Sequence, residues 1–137
     1  VRRSEPRIKP HGDHHLMHVD VVSLILSWPP STNRYWRHVG NRTLISRAGR
    51  EYKAAVRGAV LEQLGAIQPM AGRVAVTVEL SPPDRRRRDI DNHAGKALLD
   101  SLQHAGLLED DSQVVELHAR MLEPVRGGRC EIEVRGL

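Results

Sequence analysis

The 137-residue sequence contains no phenylalanine and only one cysteine, Cys130. A single cysteine excludes an intramolecular disulfide, which fits a reducing cytoplasm. Aromatic residues make up 3% of the chain, so the core must be aliphatic, and stacking on bases cannot be a broad binding mode. No apolar run is long enough to span a bilayer, and the first twenty residues lack the pattern of a secretory signal. We therefore expect a cytoplasmic protein with no membrane partner.

What the sequence has in excess is positive charge. It contains 21 Lys and Arg against 17 Asp and Glu, a formal net charge of +4, and its pI is about 9.8. A basic surface favours an anionic partner, most often nucleic acid, although a basic protein without such a partner has the same composition. The length fits one domain, which we assign to residues 19–137. Residues 1–18, polar and rich in histidine, are interpreted as a disordered tail or an expression-tag remnant.

Hydrophobic periodicity divides the domain into six elements. Strands are predicted over 19–28, 73–80, 114–122 and 129–135, and helices over about 47–64 and from 92 or 93 to 105. The predicted inward face of the third strand consists of Val115, Leu117, Ala119 and Met121. The order β-α-β-α-β-β indicates an α+β fold, with a four-stranded mixed sheet and both helices packed on one face.

The most informative stretch is a run of four cations that leads into two carboxylates spaced two residues apart: Arg85, Arg86, Arg87, Arg88, Asp89 and Asp91. Packing does not require this juxtaposition. Arginines pair with phosphates, and carboxylates bind hard divalent cations. In an extended backbone the two carboxylates project to the same side. The alternatives are a solvated basic loop and simple N-capping of the following helix by Asp91.

A second acidic pair, Asp110 and Asp111, follows the same helix. Chain reversal can bring the two pairs together, and three or four gathered carboxylates must be neutralised by protons or cations. Mg²⁺, or Mn²⁺ in its place, binds through oxygen and activates water for attack on a phosphodiester. Lys96 is the candidate cation for the scissile phosphate or the leaving oxygen. Alternatively, the acidic pair is a solvated turn and Lys96 an ordinary surface lysine.

The loop after the first strand mixes aromatic residues with cations: Arg34, Tyr35, Trp36 and Arg37. In one interpretation this loop contacts nucleic acid, with the two arginines on phosphates and the rings on the backbone or a base. In the other, Tyr35 and Trp36 cover the edge of the core. The sequence favours neither.

Several segments, in the same order, resemble the RusA family of Holliday-junction resolvases, which phages and prophages often encode. The resemblance covers about Leu24 to Val134. It is carried by WPPSTNRYW from Trp28, PDRRRRDIDN from Pro83, AGLLEDDSQVV from Ala105 and the pair Gly127-Gly128. Such ordered agreement over several segments is far more specific than an isolated pair of aspartates.

The resemblance implies a homodimeric α+β endonuclease that binds four-way DNA junctions in the bacterial nucleoid. Such enzymes nick two opposing strands with Mg²⁺ or Mn²⁺. The implied metal-binding catalytic acids are Asp89, Asp91 and Asp111. Asp110 would support them, Lys96 would match the essential lysine of the family, and Arg88 would match a DNA contact. A symmetric dimer also suits the two-fold symmetry of a junction.

One departure from the family pattern concerns the lysine. The family usually has three steps from the Asn of its DxDN motif to the lysine, whereas Asn92 and Lys96 are four steps apart. An extra residue rotates a helical side chain by roughly 100°. Unless Gly95 lies in a bulge that restores the phase, Lys96 points elsewhere. The alternative functions are therefore a junction-binding protein without catalysis and a different metal-dependent phosphodiesterase, acting on DNA or RNA.

Overall fold

The computed structural model describes residues 20–137, so the predicted tail over residues 1–18 lies outside the described part of the chain. In chain order the main elements are β1 Val21–Leu26, α1 Thr32–Tyr35, β2 Trp36–Val39, β3 Arg42–Ile45, α2 Arg47–Leu64, β4 Val74–Ser81, α3 Lys96–His104, β5 Val114–Met121 and β6 Arg129–Gly136. Two short 3₁₀ turns, Ile90–Asn92 and Asp111–Gln113, flank α3. Within residues 20–137, no helix is long and apolar enough to cross a membrane.

The main sheet has the strand order β1-β6-β4-β5. Strand β6 pairs antiparallel with both β1 and β4, whereas β4 and β5 run parallel. The predicted mixed four-stranded sheet and the α+β class are therefore confirmed. Helix α2 also has its predicted bounds, because the Ser46 hydroxyl accepts a hydrogen bond from the Gly49 backbone N–H at 3.0 Å and Gly65 ends the helix.

The core lies on one face of this sheet. The alternating residues of β4 are fully buried there: Val74, Val76, Val78 and Leu80. Helices α2 and α3 contribute the facing apolar side chains, which include Tyr52, Val56, Val60, Leu98 and Leu102. The prediction that both helices pack on one face is confirmed.

The polar loop after β1 is more ordered than the sequence predicts. It contains the single-turn helix α1 and a separate two-stranded sheet, in which β2 pairs antiparallel with β3. These strands are short and largely exposed, so they lack the apolar alternation by which a strand is recognised. The Ser46 N–H donates to the Tyr35 carbonyl at 2.9 Å and so continues the pairing beyond the ends of the two strands.

The predicted start of the second helix at residue 92 or 93 is wrong, because α3 begins at Lys96. Residues Ile90–Asn92 form a 3₁₀ turn, and Gly95 is the N-cap of α3 with φ −106° and ψ −128°. This backbone angle interrupts the helical path between the two segments. The extra residue relative to the family pattern is thus accommodated in the connector before α3 rather than inside the helix.

The predicted inward face of β5 is only partly correct. Val114 pairs with Val74, but Glu116 pairs with Ala75, so Val115 lies in a bulge and is 44% exposed. Leu117 pairs with Val76 yet remains 43% exposed, because β5 is an edge strand. Toward the end of the strand, Ala119 and Met121 pack against the core as predicted.

Gly49 lies where α2 packs tightly against Tyr35 of α1 and Ile45 of β3. A Cβ atom at this position would lie 2.6 Å from the carbonyl oxygen of Tyr35 and 2.8 Å from Cγ2 of Ile45. The nearer atom belongs to the backbone and cannot move aside cheaply. Only glycine therefore allows this packing.

We expect Gly49→Ala to lower the midpoint of thermal unfolding, since overpacking costs about 1–3 kcal/mol, or about 3–10 °C in a chain of this length. Gly58 of the same helix provides the matched control, because a Cβ atom there would meet nothing within 4 Å. Gly58→Ala should stabilise the protein by up to about 1 kcal/mol. Circular dichroism melts measure both, and equal midpoints in the two variants would contradict the close approach.

Candidate active site

The four consecutive arginines lie in the loop that leaves the end of β4, and Arg88 turns back into that loop. Its guanidinium donates to the carbonyl oxygens of Asp84 at 3.1 Å and Arg86 at 3.0 Å, and it forms an ion pair with the Asp84 carboxylate at 2.9 Å. The Arg88 side chain is only 13% exposed. Its hydrogen bond lowers the pKa of Asp84 below the usual range, with a further contribution from the Arg86 backbone N–H. Arg88 therefore holds the loop in shape.

The guanidinium of Arg88 lies over the ring of Trp28. The guanidinium carbon lies 5.5 Å from the centre of the Trp28 ring, within cation–π range. The imidazole of His93 lies on the same ring with the centres 4.8 Å apart, and its Nδ1 is 3.0 Å from the Pro29 carbonyl oxygen. Gly128 allows the approach of the last hairpin, since a Cβ atom there would lie 2.9 Å from that of Trp28. Sequence reasoning missed the roles of Trp28 and His93, although Trp28 opens one of the motifs quoted above.

The other three arginines of the run face solvent. Arg85 forms an ion pair with Glu123 at 3.1 Å, and Arg86 lies 3.7 Å from Asp84. Arg87 has no hydrogen bond or ion pair within residues 20–137. Both surface pairs are highly exposed and hence contribute little to stability. We call this loop, residues 84–88, the arginine loop.

Asp89 and Asp91 follow the arginine loop and remain exposed. Asp89 precedes the 3₁₀ turn and Asp91 lies within it. Neither carboxylate has a hydrogen bond or ion pair to another part of the described chain. Asp91 does not cap α3, whose N-cap is Gly95, so the N-capping alternative is excluded.

The two residues of the second acidic pair, Asp110 and Asp111, have different roles. Asp110 caps the 3₁₀ turn, since its carboxylate accepts from the Ser112 N–H at 2.9 Å and the Gln113 side chain accepts from the Asp110 N–H at 2.9 Å. The backbone N–H of Ser112 is the main cause of the lowered pKa of Asp110. The Gln113 amide also donates to the carbonyl oxygens of Met70 and Gly72, each at 2.7 Å. This turn is thus fixed to the chain that enters β4.

Asp111 lies in the same turn, and both its backbone and its side chain contact α3. Its backbone N–H donates to the Gln103 side chain at 2.9 Å, and its carboxylate accepts from the Lys96 ammonium at 2.5 Å. The hydrogen bond to Asp111 is the main cause of the raised pKa of Lys96, and partial burial of Lys96 opposes it. Lys96 is therefore directed at one of the predicted acids, despite the extra residue before it. A Cβ atom on Gly95 would lie 3.0 Å from the Asp91 backbone carbonyl oxygen, so the chain turns tightly between Asp91 and Lys96.

One turn beyond Lys96 on α3, Asp100 forms a network that the sequence did not reveal. The hydroxyl of the fully buried Tyr35 donates to Asp100 at 2.5 Å, and the Lys53 ammonium lies 3.8 Å from the same oxygen. Burial and the bond to Asp100 raise the pKa of Tyr35. Tyr35 thus belongs to the core rather than to an exposed surface for bases. Its neighbours Arg34 and Arg37 are exposed and have no side-chain partner within residues 20–137.

The predicted acids are not assembled into a ready metal site. Within residues 20–137, no group of three or more His, Cys, Asp or Glu side chains is close enough to hold a metal ion. Asp111 is bound to Lys96, Asp110 caps its turn, and the side chains of Asp89 and Asp91 contact neither of them. The donor chemistry nevertheless fits a hard divalent cation, because all four side chains offer carboxylate oxygens.

Comparison with known proteins gives a consistent picture. The family model for endodeoxyribonuclease RusA matches residues 27–135. The crossover junction endodeoxyribonuclease RusA of Enterobacteria phage 82 is 40% identical over 120 residues, which cover 85% of this chain and 95% of the phage protein. Proteins of the same name from Shigella sonnei (strain Ss046) and Escherichia coli (strain K12) are 39% and 38% identical, each over 120 residues with the same coverage.

We expect Arg88→Ala to destabilise the fold, because it removes charged hydrogen bonds worth about 1–2 kcal/mol, or about 3–7 °C in the midpoint of unfolding. Arg87→Ala is the matched control and should leave the midpoint within about 2 °C, as surface substitutions usually do. Thermal melts at one pH and salt concentration make the comparison. An unchanged midpoint for Arg88→Ala would show that the internal bonds of the arginine loop contribute nothing.

Proposed function

The chain belongs to the RusA endodeoxyribonuclease family, and we propose that it is a metal-dependent endonuclease that resolves four-way DNA junctions. It acts as a homodimer and nicks opposing strands in pairs. The names of the relatives support this proposal, since the bacterial and phage proteins are crossover junction endodeoxyribonucleases and the matched region covers 95% of each.

The observation that carries the proposal is the contact between Lys96 and Asp111. A lysine directed away from the acids would have favoured a protein that binds junctions without cutting them. Instead, the Lys96 ammonium lies 2.5 Å from the Asp111 carboxylate. Lys96 is the first residue of α3, and only residues 93–95 separate it from the turn that contains Asp91. A cation at the start of α3 and an acid in the turn before β5 thus meet, and the arginine loop, in the same segment between β4 and β5, presents arginines to solvent. This combination supports chemistry on a phosphodiester.

Mg²⁺ is the proposed cofactor, and Mn²⁺ should substitute for it. Asp89, Asp91 and Asp111 would hold the metal, with Asp110 in support. Asp89 and Asp91 have no competing partners within the described chain, and Asp111 already holds a cation, the ammonium of Lys96. When bound, the metal would supply an activated water and neutralise charge on the phosphate. Lys96 would then contact the scissile phosphate or the leaving oxygen.

DNA binding is assigned to the exposed arginines. Arg85, Arg86 and Arg87 of the arginine loop point to solvent and would pair with phosphates, as would Arg34 and Arg37. The family resemblance also predicts a DNA contact for Arg88. Its guanidinium is committed to the loop, so we propose that it supports binding by holding the loop in shape.

The principal test is an end-labelled four-way junction incubated with and without Mg²⁺. Paired symmetric nicks are expected, and they should disappear with a chelator. Asp89→Asn, Asp91→Asn and Asp111→Asn should each slow nicking by roughly 100-fold or more while junction binding persists. Glu62→Gln, a carboxylate change on the exposed surface of α2, is the matched control and should cut at the normal rate.

Each outcome of this test decides something. Nicking that is unchanged in one Asp→Asn variant removes that residue from the catalytic set. Tight junction binding by the unaltered protein with no product in either metal would favour the second candidate, a junction-binding protein without catalysis. The absence of a preassembled acid cluster within residues 20–137 is the observation that keeps this candidate in view.

We expect Lys96→Met to bind Mn²⁺ more tightly and yet to nick more slowly. Lys96 competes with a metal for Asp111, and a half-exposed ion pair of this kind is worth up to about 1 kcal/mol, so the affinity should rise by up to about fivefold. Calorimetry or the spin-resonance signal of Mn²⁺ measures this without reference to activity. Lys53→Met, which removes the cation beside Asp100 instead, should leave the affinity unchanged. Equal or weaker binding by Lys96→Met would exclude this competition.

A further inference from the structure

The two edge strands of the main sheet, β1 and β5, differ in whether another part of the chain covers their outer edge. At the β1 edge, the side chain of Gln63 occupies the backbone of Ile25: its oxygen accepts from the Ile25 N–H at 2.9 Å, and its amide donates to the Ile25 carbonyl at 2.6 Å. A side chain from α2 therefore blocks this edge against another strand. Such protection is a common way to prevent unwanted pairing.

The β5 edge has no comparable cover. Strand β5 pairs only with β4, and its outer edge has no strand partner within residues 20–137. Val115 and Leu117 are 44% and 43% exposed, and the stretch 115–118 is exposed throughout. Beyond the bulge at Val115 the pairing with β4 is regular, and β5 contains neither proline nor lysine. An open edge with exposed apolar residues is a template for a further strand.

The side chains of β5 are complementary to a second copy of the same strand. Glu116, His118 and Arg120 alternate along the sheet face opposite the core. In an antiparallel pair with His118 on the two-fold axis, Glu116 lies opposite the partner's Arg120, and Arg120 opposite the partner's Glu116. Cross-strand pairs of opposite charge stabilise a sheet. The same register places Leu117 opposite the partner's Ala119, which would cover an exposed apolar side chain.

The present partners of these charges do not prevent this pairing. Arg120 lies 3.5 Å from Glu79, and His118 lies 3.6 Å from Glu116, but the Arg120 and His118 side chains are 68% and 67% exposed. Exposed pairs of this kind are weak, so their side chains can exchange partners at little cost.

We propose that β5 is the homodimer interface, pairing antiparallel with β5 of a second copy about His118 to form one continuous sheet across both subunits. The inference rests on the homodimer of the proposed function and identifies its surface. Because Asp111 lies in the turn directly before β5, the two-fold axis would also relate the two candidate sites through this strand pair. An enzyme that cuts two symmetry-related strands needs such a fixed relation between its two active sites.

The first test is charge reversal. Glu116→Arg and Arg120→Glu each place like charges opposite one another at both symmetric contacts, and each should raise the dimer dissociation constant by roughly tenfold or more. The double variant Glu116→Arg/Arg120→Glu restores opposite charges and should recover most of the affinity. Sedimentation equilibrium measures the constants, and circular dichroism confirms folding. Dimers that are unaffected by the single reversals, or that the double reversal does not recover, would overturn this register.

The second test is cysteine cross-linking, which reports the proximity of two residues and does not require the dimer to be weakened. His118→Cys should form a disulfide-linked dimer on mild oxidation, because residues directly opposite in an antiparallel pair have Cα atoms within disulfide range. Ile25→Cys on the blocked β1 edge is the matched control and should not cross-link. The native Cys130 is fully buried and should contribute no background.

The outcomes separate this inference from the proposed function. A dimer that nicks junctions but neither responds to the charge reversals nor cross-links at position 118 would overturn the β5 interface alone. A monomer at micromolar concentration would overturn the homodimer and the interface together. A dimer that cross-links at position 118 but never nicks would support the interface while contradicting the endonuclease.

Discussion

The parallel pairing of β4 with β5 is the constraint on which the candidate site depends. Parallel neighbours cannot be joined by a tight turn, so the chain must cross from the end of β4 back to the start of β5. That crossover comprises residues 82–113, and it contains the arginine loop, both 3₁₀ turns, α3 and both acidic pairs. Because α3 packs on the core face through Leu98 and Leu102, burial of its apolar stripe holds the whole crossover against the sheet.

Within the crossover, most charged groups have a defined internal role before any ligand binds. Arg88 shapes the arginine loop and Asp110 caps a turn. Lys96 neutralises Asp111, and Asp100 joins α3 to Tyr35 and Lys53. Among the charged side chains of the crossover, those of Arg87, Asp89, Asp91 and Glu109 have no partner within residues 20–137. A group without an internal partner can bind a ligand without first breaking a bond, which is why Arg87, Asp89 and Asp91 are central to the proposed function.

The same contrast applies to the sheet edges. Gln63 satisfies the backbone of Ile25 from within the chain, whereas the outer edge of β5 has no strand beside it in the described residues. Unsatisfied backbone groups on an edge strand favour pairing with another chain. The position of Asp111 directly before β5 links the edge to the candidate site.

The sequence by itself determined the elements whose signal is local. The alternation of β4, the capped helix α2 and the order of the six predicted elements follow from periodicity and capping, which depend on residues a few positions apart. The family and its candidate residues could likewise be read from ordered motifs. The β2–β3 hairpin, the late start of α3 at Lys96 and the exposure of Leu117 could not. Only the tertiary structure decided that Arg88 turns inward onto Trp28 and that Lys96 meets Asp111, because these partners lie 60 and 15 residues apart in the sequence. Local patterns specify the secondary structure on which a side chain lies, but the packing of segments that are distant in sequence decides which partner it contacts.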